Sequence, residues 1–378
     1  MAYRVVVTDT AFSKEMMSFR SELNKHGIEC VVCDPEILKY EELSGYDAIA
    51  VQQLIFDKKV VGHLDPAKCR LVVKFGVGYE NLDLSALTEV GIRAANVPDY
   101  GPDTVAQHAF YFILALAKHG IEYQHRVVTC RDLELGSDSL DAEVWTNKSR
   151  IPSVSLEKCV LGIIGYGRIG KKVADCTAPC FRKILACDPY IDPSTFGKHV
   201  ERTDLETLLG TADFVTIHVP LFRDKQRVYK EYPHYTPTEM YYQPTHYMID
   251  EKHVDMMKDG AFLINTSRGG VVKESAVIDA VMSGKLAGCA LDVFEHEPLP
   301  KNSPLRNLSQ LKLPDNHLLL KKDMEYYNVL LTPHSSYYTE GILERIETLM
   351  AEEIIRVLVD GEVPKNLVNP SVLQYKEN

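Results

Sequence analysis

Short apolar runs alternate with longer amphipathic stretches through most of the chain. Arg4 to Thr8, Cys30 to Cys33, Ala48 to Gln52, Leu71 to Phe75 and Ile92 to Asn96 are Val- and Ile-rich runs bounded by polar residues. Such runs predict buried parallel strands. Phe12 to His26 and Ser85 to Val90 carry helical spacing between them. Strands alternating with helices predict a parallel α/β layer. Pro98-Asp99-Tyr100-Gly101-Pro102 then breaks the pattern. Asp103 to Arg126 predicts a long helix, and the polar residues 131 to 155 predict a loop that holds the sole tryptophan, Trp145. A second α/β run starts at Lys158, with strands at Val160 to Ile164, Ala212 to Val219, Ala261 to Asn265, Ala287 to Val293 and Val329 to Thr332. Its helices are expected at Asp204 to Leu209, Lys252 to Met257, Glu274 to Ser283 and Tyr338 to Val359.

Two segments interrupt this alternation. Residues 222–245 are rich in Tyr, Pro and charge, and residues 299–328 form a second long connection. Loops of this length inside a domain are usually functional or disordered. The tyrosines of the first argue against a solvated linker. A subunit contact, a lid over a site and an ordered surface insertion all remain open for it.

The run Leu161 to Asp188, LGIIGYGRIGKKVADCTAPCFRKILACD, carries the most specific local signal. Gly165, Gly167 and Gly170 are spaced G-x-G-x-x-G between a strand and a helix. The first permits a tight turn, the second lets a pyrophosphate approach the backbone, and the third lets helix and strand pack closely. A helix N-terminus offers free N–H groups and partial positive charge to phosphate. Asp188 closes the next strand, where an acid would bond a ribose 2′-OH. No Arg follows it closely, so NAD is favoured over NADP. Gly76-Val77-Gly78-Tyr79 also follows a strand but lacks the third glycine and the acid. It reads as a loop whose backbone N–H groups approach a ligand.

Charge and composition narrow the class. The chain has 378 residues, 45% of them hydrophobic, and a formal net charge of −11 without a basic run. Length predicts two or three domains, and charge argues against a nucleic-acid surface. The longest apolar run, Ala109 to Ala117, is too short to span a bilayer. The start MAYRVVVTDT has no signal-peptide pattern, so a cytoplasmic protein without membrane contact is expected. Nine cysteines lack the paired spacing of a disulfide scaffold. Cys30 and Cys33 form C-x-x-C inside a predicted strand, where side chains three apart point to opposite faces. Cys176 and Cys180 could share a helix face but have no second pair. Buried reduced thiols are expected, and no metal ligand set is visible.

Four further motifs follow predicted strands of the second run, on the side where open α/β sheets bind ligands. They are His218-Val219-Pro220-Leu221, Asn265-Thr266-Ser267-Arg268-Gly269-Gly270, Leu291-Asp292-Val293-Phe294-Glu295-His296-Glu297-Pro298 and Leu331-Thr332-Pro333-His334. With the glycine turn and Asn96-Val97-Pro98-Asp99-Tyr100, the set resembles the D-isomer-specific 2-hydroxyacid dehydrogenase family over about residues 45–365.

The resemblance implies two Rossmann-like or flavodoxin-like parallel-sheet α/β domains with the active-site cleft between them. Residues 1–100 plus 334–378 would bind substrate, and residues 101–333 would bind NAD, with insertions near 222–245 and 299–328. It implies NAD-dependent interconversion of a 2-keto acid and its D-2-hydroxy acid, by a homodimer. The catalytic residues it implies are Arg268, Glu297 and His334. A guanidinium can grip carboxylate and keto oxygen together. Imidazole titrates near neutrality and can exchange a proton with the keto oxygen. A carboxylate on that imidazole favours its charged form and fixes its tautomer. Spacing from Asp292 favours Glu297 over its neighbour His296 as the matched residue. The implied cofactor set is Gly165, Tyr166, Gly167, Arg168, Ile169 and Gly170 at the phosphates and Asp188 at the ribose. Val219 and Pro220 border the adenosine, His218 lies over the cofactor, and Thr266, Ser267, Arg268, Asp292 and His334 lie toward the nicotinamide. Val77, Gly78 and Tyr100 would meet the substrate with Arg268, and Lys74 is read as structural. The alternatives are a phosphoglycerate-type dehydrogenase and an NAD-sensing, corepressor-like binding protein.

Overall fold

The two runs of alternating strands and helices fold as two separate parallel sheets. The computed structural model describes residues 3–10, 13–33, 38–124, 153–223, 226–227, 241–308 and 327–374. It divides into one unit of Met1–Gly101 with Tyr338–Asn378 and a second of Pro102–Tyr337.

The smaller unit holds β1 (Arg4–Val7), β2 (Glu29–Val32), β3 (Ala48–Val51), β4 (Leu71–Lys74) and β5 (Arg93–Ala95). Their spatial order is β2-β1-β3-β4-β5, all parallel. The strand order therefore reverses between β1 and β3. Four of the strands are a residue or two shorter than their apolar runs, and β2 is shifted by one. The polar ends Thr8, Gln52 and Asn96 are buried all the same, in the loops at the C-terminal edge. The helix expected from Phe12 starts only at Met17, because Met16 takes a left-handed φ of 50°. Glu347, from the helix Ile342–Leu358, caps it by accepting the Ser18 N–H at 2.9 Å. That last helix starts at Ile342 and not at Tyr338, because Gly341 precedes it with φ 75°.

The larger unit holds β6 (Val160–Ile164), β7 (Lys183–Cys187), β8 (Val200–Arg202), β9 (Phe214–Ile217), β10 (Gln226–Arg227), β11 (Tyr241–Tyr242), β12 (Ala261–Asn265), β13 (Leu286–Leu291) and β14 (Val329–Leu331). Seven of them form a sheet of order β14-β13-β12-β9-β6-β7-β8. Alternate side chains feed two cores, as the two-residue period of a strand requires. Leu161, Ile163, Phe214 and Phe262 pack on one face, with Phe112 and Val173 from the helices Pro102–Lys118 and Arg168–Thr177. Val160, Ile164, Val215 and Leu263 pack on the other, with Leu208, Val254 and Val277 from the helices Leu205–Thr211, Glu251–Met256 and Glu274–Ser283. Burying each such side chain contributes about 1.5–3 kcal/mol.

The helix expected to run from Asp103 to Arg126 stops at Lys118, where His119 turns left-handed at φ 51°. The helix expected at Lys252 to Met257 starts at Glu251, with the Asp250 carboxylate as its cap. β8 was not anticipated from the sequence; its face is mostly exposed, so it carries no apolar run. The first interruption leaves and returns at one point. The Phe222 N–H donates to the Thr245 hydroxyl at 2.7 Å, the Thr245 N–H to the Phe222 carbonyl at 2.8 Å, and β10 pairs antiparallel with β11. Trp145, most of residues 131 to 155 and the greater part of both interruptions lie outside the described residues.

Among the described residues no helix is long and apolar enough to cross a membrane. Among them, too, no group of three or more His, Cys, Asp and Glu could hold a metal. The described cysteines are free, and burial pushes the Cys30 thiol up to about 12 and raises that of Cys33.

Candidate active site

The C-terminal edge of the seven-stranded sheet gathers the motifs. Strand order reverses between β6 and β9, so the Gly165 turn and His218-Val219-Pro220 sit at the topological switch point. Gly165 has φ 91°, and a Cβ there would lie 2.7 Å from the His218 carbonyl oxygen. A Cβ on Gly170 would meet the Gly165 carbonyl oxygen at 2.1 Å. A Cβ on Gly167 would meet nothing within 4 Å. Two of the glycines are thus demanded by the fold itself, and the third faces open space. The helix Arg168–Thr177 behind them has no side-chain cap from Gly167, and a helix N-terminus favours an anion. Asp188 stands at the end of β7. Its two carboxylate oxygens accept the N–H groups of Tyr166 and Tyr190, both at 2.9 Å, and a carboxylate has acceptor sites to spare for a ribose hydroxyl. A dinucleotide fits this edge on these grounds. Tyr166 meets the turn through its backbone and not its ring. Its ring is buried, stacked on Phe196 at 4.4 Å, with its hydroxyl accepting the Gly197 N–H, which leaves only its backbone to the turn.

His218 lies between two threonine hydroxyls. Thr216 is 2.9 Å from Nε2 and Thr266 3.5 Å from Nδ1. Burial pushes its imidazole down to about 3, so the ring is neutral and links the ends of β9 and β12.

Arg268 is carried by a turn that Asn265 organises. The Asn265 side chain accepts the Ser267 N–H at 3.0 Å and hydroxyl at 2.8 Å, and donates to the Arg268 carbonyl at 2.9 Å. Thr266 and Ser267 are buried with it, and Arg268 is half-buried. The next residue locks this turn to the following motif. A Cβ on Gly269 would fall 1.9 Å from the Phe294 carbonyl carbon, inside any tolerable contact.

The Phe294 N–H donates to Glu297 Oε1 at 3.0 Å, and Glu297 Oε2 meets His334 Nδ1 at 2.7 Å. Burial works to raise the Glu297 carboxyl. The His334 hydrogen bond and charge, the Phe294 N–H and the Arg268 charge together outweigh it and hold the group below its usual range. Arg268, Glu297 and His334 therefore converge in one electrostatic cluster. The neighbouring Glu295 turns elsewhere. It accepts the Glu274 N–H at 2.7 Å and so caps the helix Glu274–Ser283. His296 is exposed.

Asp292 is wholly buried, and its oxygens take the Thr332 hydroxyl at 2.5 Å and the N–H groups of Ser335 and Ser336 at 2.8 and 2.9 Å. It ties the end of β13 to the turn that bears His334. His108, on the helix Pro102–Lys118, reaches Thr332 Oγ1 at 3.3 Å through Nε2. Neither His108 nor the role of Thr332 was anticipated from the sequence. A polar ring among apolar helix positions was the available signal for the first, and a threonine just past a strand offers none.

In the smaller unit the Gly76–Gly78 loop turns its carbonyls inward. Gly76 accepts the Val97 N–H at 3.1 Å and Val77 the Asn96 side chain at 2.6 Å. Among the described residues the Val77 and Gly78 N–H groups take no backbone partner. The Tyr100 hydroxyl would lie 3.8 Å from a Cβ on Gly76. Lys74 is buried, and its ammonium donates to the carbonyls of Gln52 and Phe75.

The family model for the NAD binding domain of D-isomer specific 2-hydroxyacid dehydrogenases matches residues 124–232 and 240–336. A glyoxylate reductase of Thermococcus litoralis is 32% identical over 341 residues, covering 90% of this chain and 88% of that one. A D-3-phosphoglycerate dehydrogenase of Methanocaldococcus jannaschii is 33% identical over 312 residues, 82% of this chain and 49% of that protein. The solved structure of D-lactate dehydrogenase from Aquifex aeolicus, complexed with NAD and lactic acid, superposes with a TM-score of 0.71. It is 28% identical, covering 97% of this chain and 99% of that one.

Proposed function

The chain belongs to the D-isomer-specific 2-hydroxyacid dehydrogenase family and is an NAD-dependent oxidoreductase, and on that premise we propose that it interconverts a small 2-keto acid and its D-2-hydroxy acid in the cytoplasm, as a homodimer. The observation that carries the residue roles is the hydrogen bond between His334 Nδ1 and Glu297 Oε2, beside Arg268. With Nδ1 committed to Glu297, Nε2 is the nitrogen left to give a proton to the keto oxygen. Glu297 stabilises the imidazolium before transfer and fixes its tautomer. The Arg268 guanidinium binds the substrate carboxylate and polarises the keto group, a role suited to its planar fork of donors. The Val77 and Gly78 N–H groups and Tyr100 are the smaller unit's proposed substrate contacts.

The larger unit is the proposed cofactor unit. The residues that would hold NAD are the backbone of Gly165 to Gly170 for the pyrophosphate and Asp188 for the ribose. Val219 and Pro220 would border the adenosine, and Thr266 and Ser267 the nicotinamide end. When bound, the nicotinamide supplies or accepts the hydride. His218, neutral between its threonines, contributes shape and not charge.

The glyoxylate reductase relatives and the D-lactate dehydrogenase neighbour support a small substrate. The phosphoglycerate dehydrogenase relative supports a second reading, a phosphorylated hydroxy acid. Oxidation of NADH against glyoxylate, pyruvate, branched 2-keto acids and 3-phosphohydroxypyruvate separates them. Turnover highest with glyoxylate or pyruvate is expected. Preference for the phosphorylated acid would overturn the first reading in favour of the second. NADH binding with no turnover of any acid would point instead to an NAD-sensing binding protein. Light scattering tests the dimer: the mass of one chain would overturn it.

A further inference from the structure

His334 has φ 51°, in the left-handed region that a side-chain-bearing residue seldom occupies. Its N–H donates to the Asp292 carbonyl at 2.8 Å and reaches the Thr332 carbonyl at 3.0 Å. Asp292 then grips the next two residues through its carboxylate, by the Ser335 and Ser336 N–H groups. The turn is therefore wrapped around one buried carboxylate, which is itself fixed by the Thr332 hydroxyl at 2.5 Å. Having donated its proton to Asp292, that hydroxyl can only accept elsewhere, and His108 Nε2 stands 3.3 Å away. Burial lowers the His108 pKa while the Asp292 charge opposes it, which leaves a neutral ring able to carry its proton on Nε2. The ring is seated edge-on against Phe112 at 4.5 Å, so helix packing determines where that nitrogen points.

We propose that His108, Thr332 and Asp292 form a chain of positioning residues that holds His334 in register with Glu297. The inference rests on the reading of His334 as the proton donor. None of the three needs to touch the reacting atoms. Each fixes the next, from the packed helix Pro102–Lys118 to the turn after β14. The arrangement explains why a buried, charged side chain is retained at Asp292: its lone pairs are matched to donors that sit on both sides of His334 in sequence.

The test compares Thr332→Val, which keeps the shape, with Thr332→Ser, which keeps the hydroxyl. A buried carboxylate left one donor short should let the turn relax. Thr332→Val is expected to lower kcat about tenfold, while the dissociation constant for NADH stays within about twofold. Thr332→Ser should recover most of the rate. His108→Phe should cost about threefold, and His108→Gln, whose amide can still donate, should recover it. If Thr332→Val does not fold, the serine variant and the His108 pair carry the test. The NMR resonances of the His334 imidazole read the same geometry without turnover. In the larger unit its facing groups are Glu297 on Nδ1 and the Tyr337 ring, with Asp292 behind and the Arg268 charge on Glu297. Loosening from Glu297 should shift those resonances in Thr332→Val relative to wild type.

Wild-type kcat together with wild-type His334 resonances in Thr332→Val would overturn the proposal. So would a serine variant no better than valine. Resonances that move in Thr332→Val, in a protein whose wild type turns over no keto acid, would sink the functional reading and leave the positioning chain standing.

Discussion

Both units are parallel sheets whose strand order reverses once, and the two reversals are treated in opposite ways. In the larger unit the switch point between β6 and β9 is left open. Gly167 faces empty space, and the helix behind it has no side-chain cap. In the smaller unit the switch point between β1 and β3 is filled from within. The buried Asp9 carboxylate accepts the N–H groups of Gln52, Gln53 and Leu54 at 3.0, 2.9 and 3.2 Å. A set of converging N–H groups is an anion site, and here the chain supplies the anion itself. Topology therefore offers two ligand crevices, and side chains decide that only one is available. The loop whose Val77 and Gly78 N–H groups take no backbone partner among the described residues lies one strand over, after β4.

Asp292 repeats the Asp9 device in the larger unit, gathering backbone N–H groups and a threonine hydroxyl just after a strand. The difference is what the captured loop displays. Behind Asp9 it is Gln52 to Leu54, and behind Asp292 it is His334. The largest expected effect separates the two. His334→Ala should lower kcat about a hundredfold to ten-thousandfold, the range for losing a general acid, with NADH binding retained. Turnover near wild type would remove chemistry from that edge altogether. Asp9→Ala should spare the rate per folded molecule and lower stability by about 2 kcal/mol, because the buried Gln52 N–H and two part-buried ones lose one charged acceptor. The midpoint of urea unfolding measures it, and added sulfate should restore part of the loss by occupying the vacated crevice. An unchanged midpoint would mean that Asp9 does not close the site.

Much of this was legible in the sequence because parallel strands buried on both faces leave plain apolar runs, and glycines at steric limits leave fixed spacings. Gly165 and Gly170 could be read because no other residue fits. The cluster of Arg268, Glu297 and His334 was reached only through a resemblance, since the hydrogen bond from His334 to Glu297 spans 37 positions in the chain. The Asp9 plug and the role of Thr332 left no trace, and His108 left only a polar ring among apolar positions. Asp9 accepts from backbone N–H groups, which place no demand on the partner's residue type, and Thr332 meets Asp292 and His108 from 40 and 224 positions away in the chain. Tyr166 shows the converse: position in a motif fixes its backbone, while its ring follows the nearest core, on Phe196.

The finest form of the comparison concerns which anion each crevice admits. Asp9 excludes anions by filling its site; Asp188 should exclude one particular phosphate while leaving the crevice open. Its carboxylate stands at the end of β7 and already accepts from Tyr166 and Tyr190. Asp188→Asn keeps an acceptor for one of those N–H groups but removes the charge. A ribose 2′-OH then loses a charge-assisted bond, worth about 1.5 kcal/mol or more, and a 2′-phosphate no longer meets a like charge. The ratio of kcat/KM for NADH over NADPH should therefore fall about tenfold. The change should come mainly from weaker NADH binding, with the rate at saturation nearly intact. A ratio that stays at the wild-type value would show that the Asp188 charge does not face the ribose. The open crevice would then discriminate by shape alone.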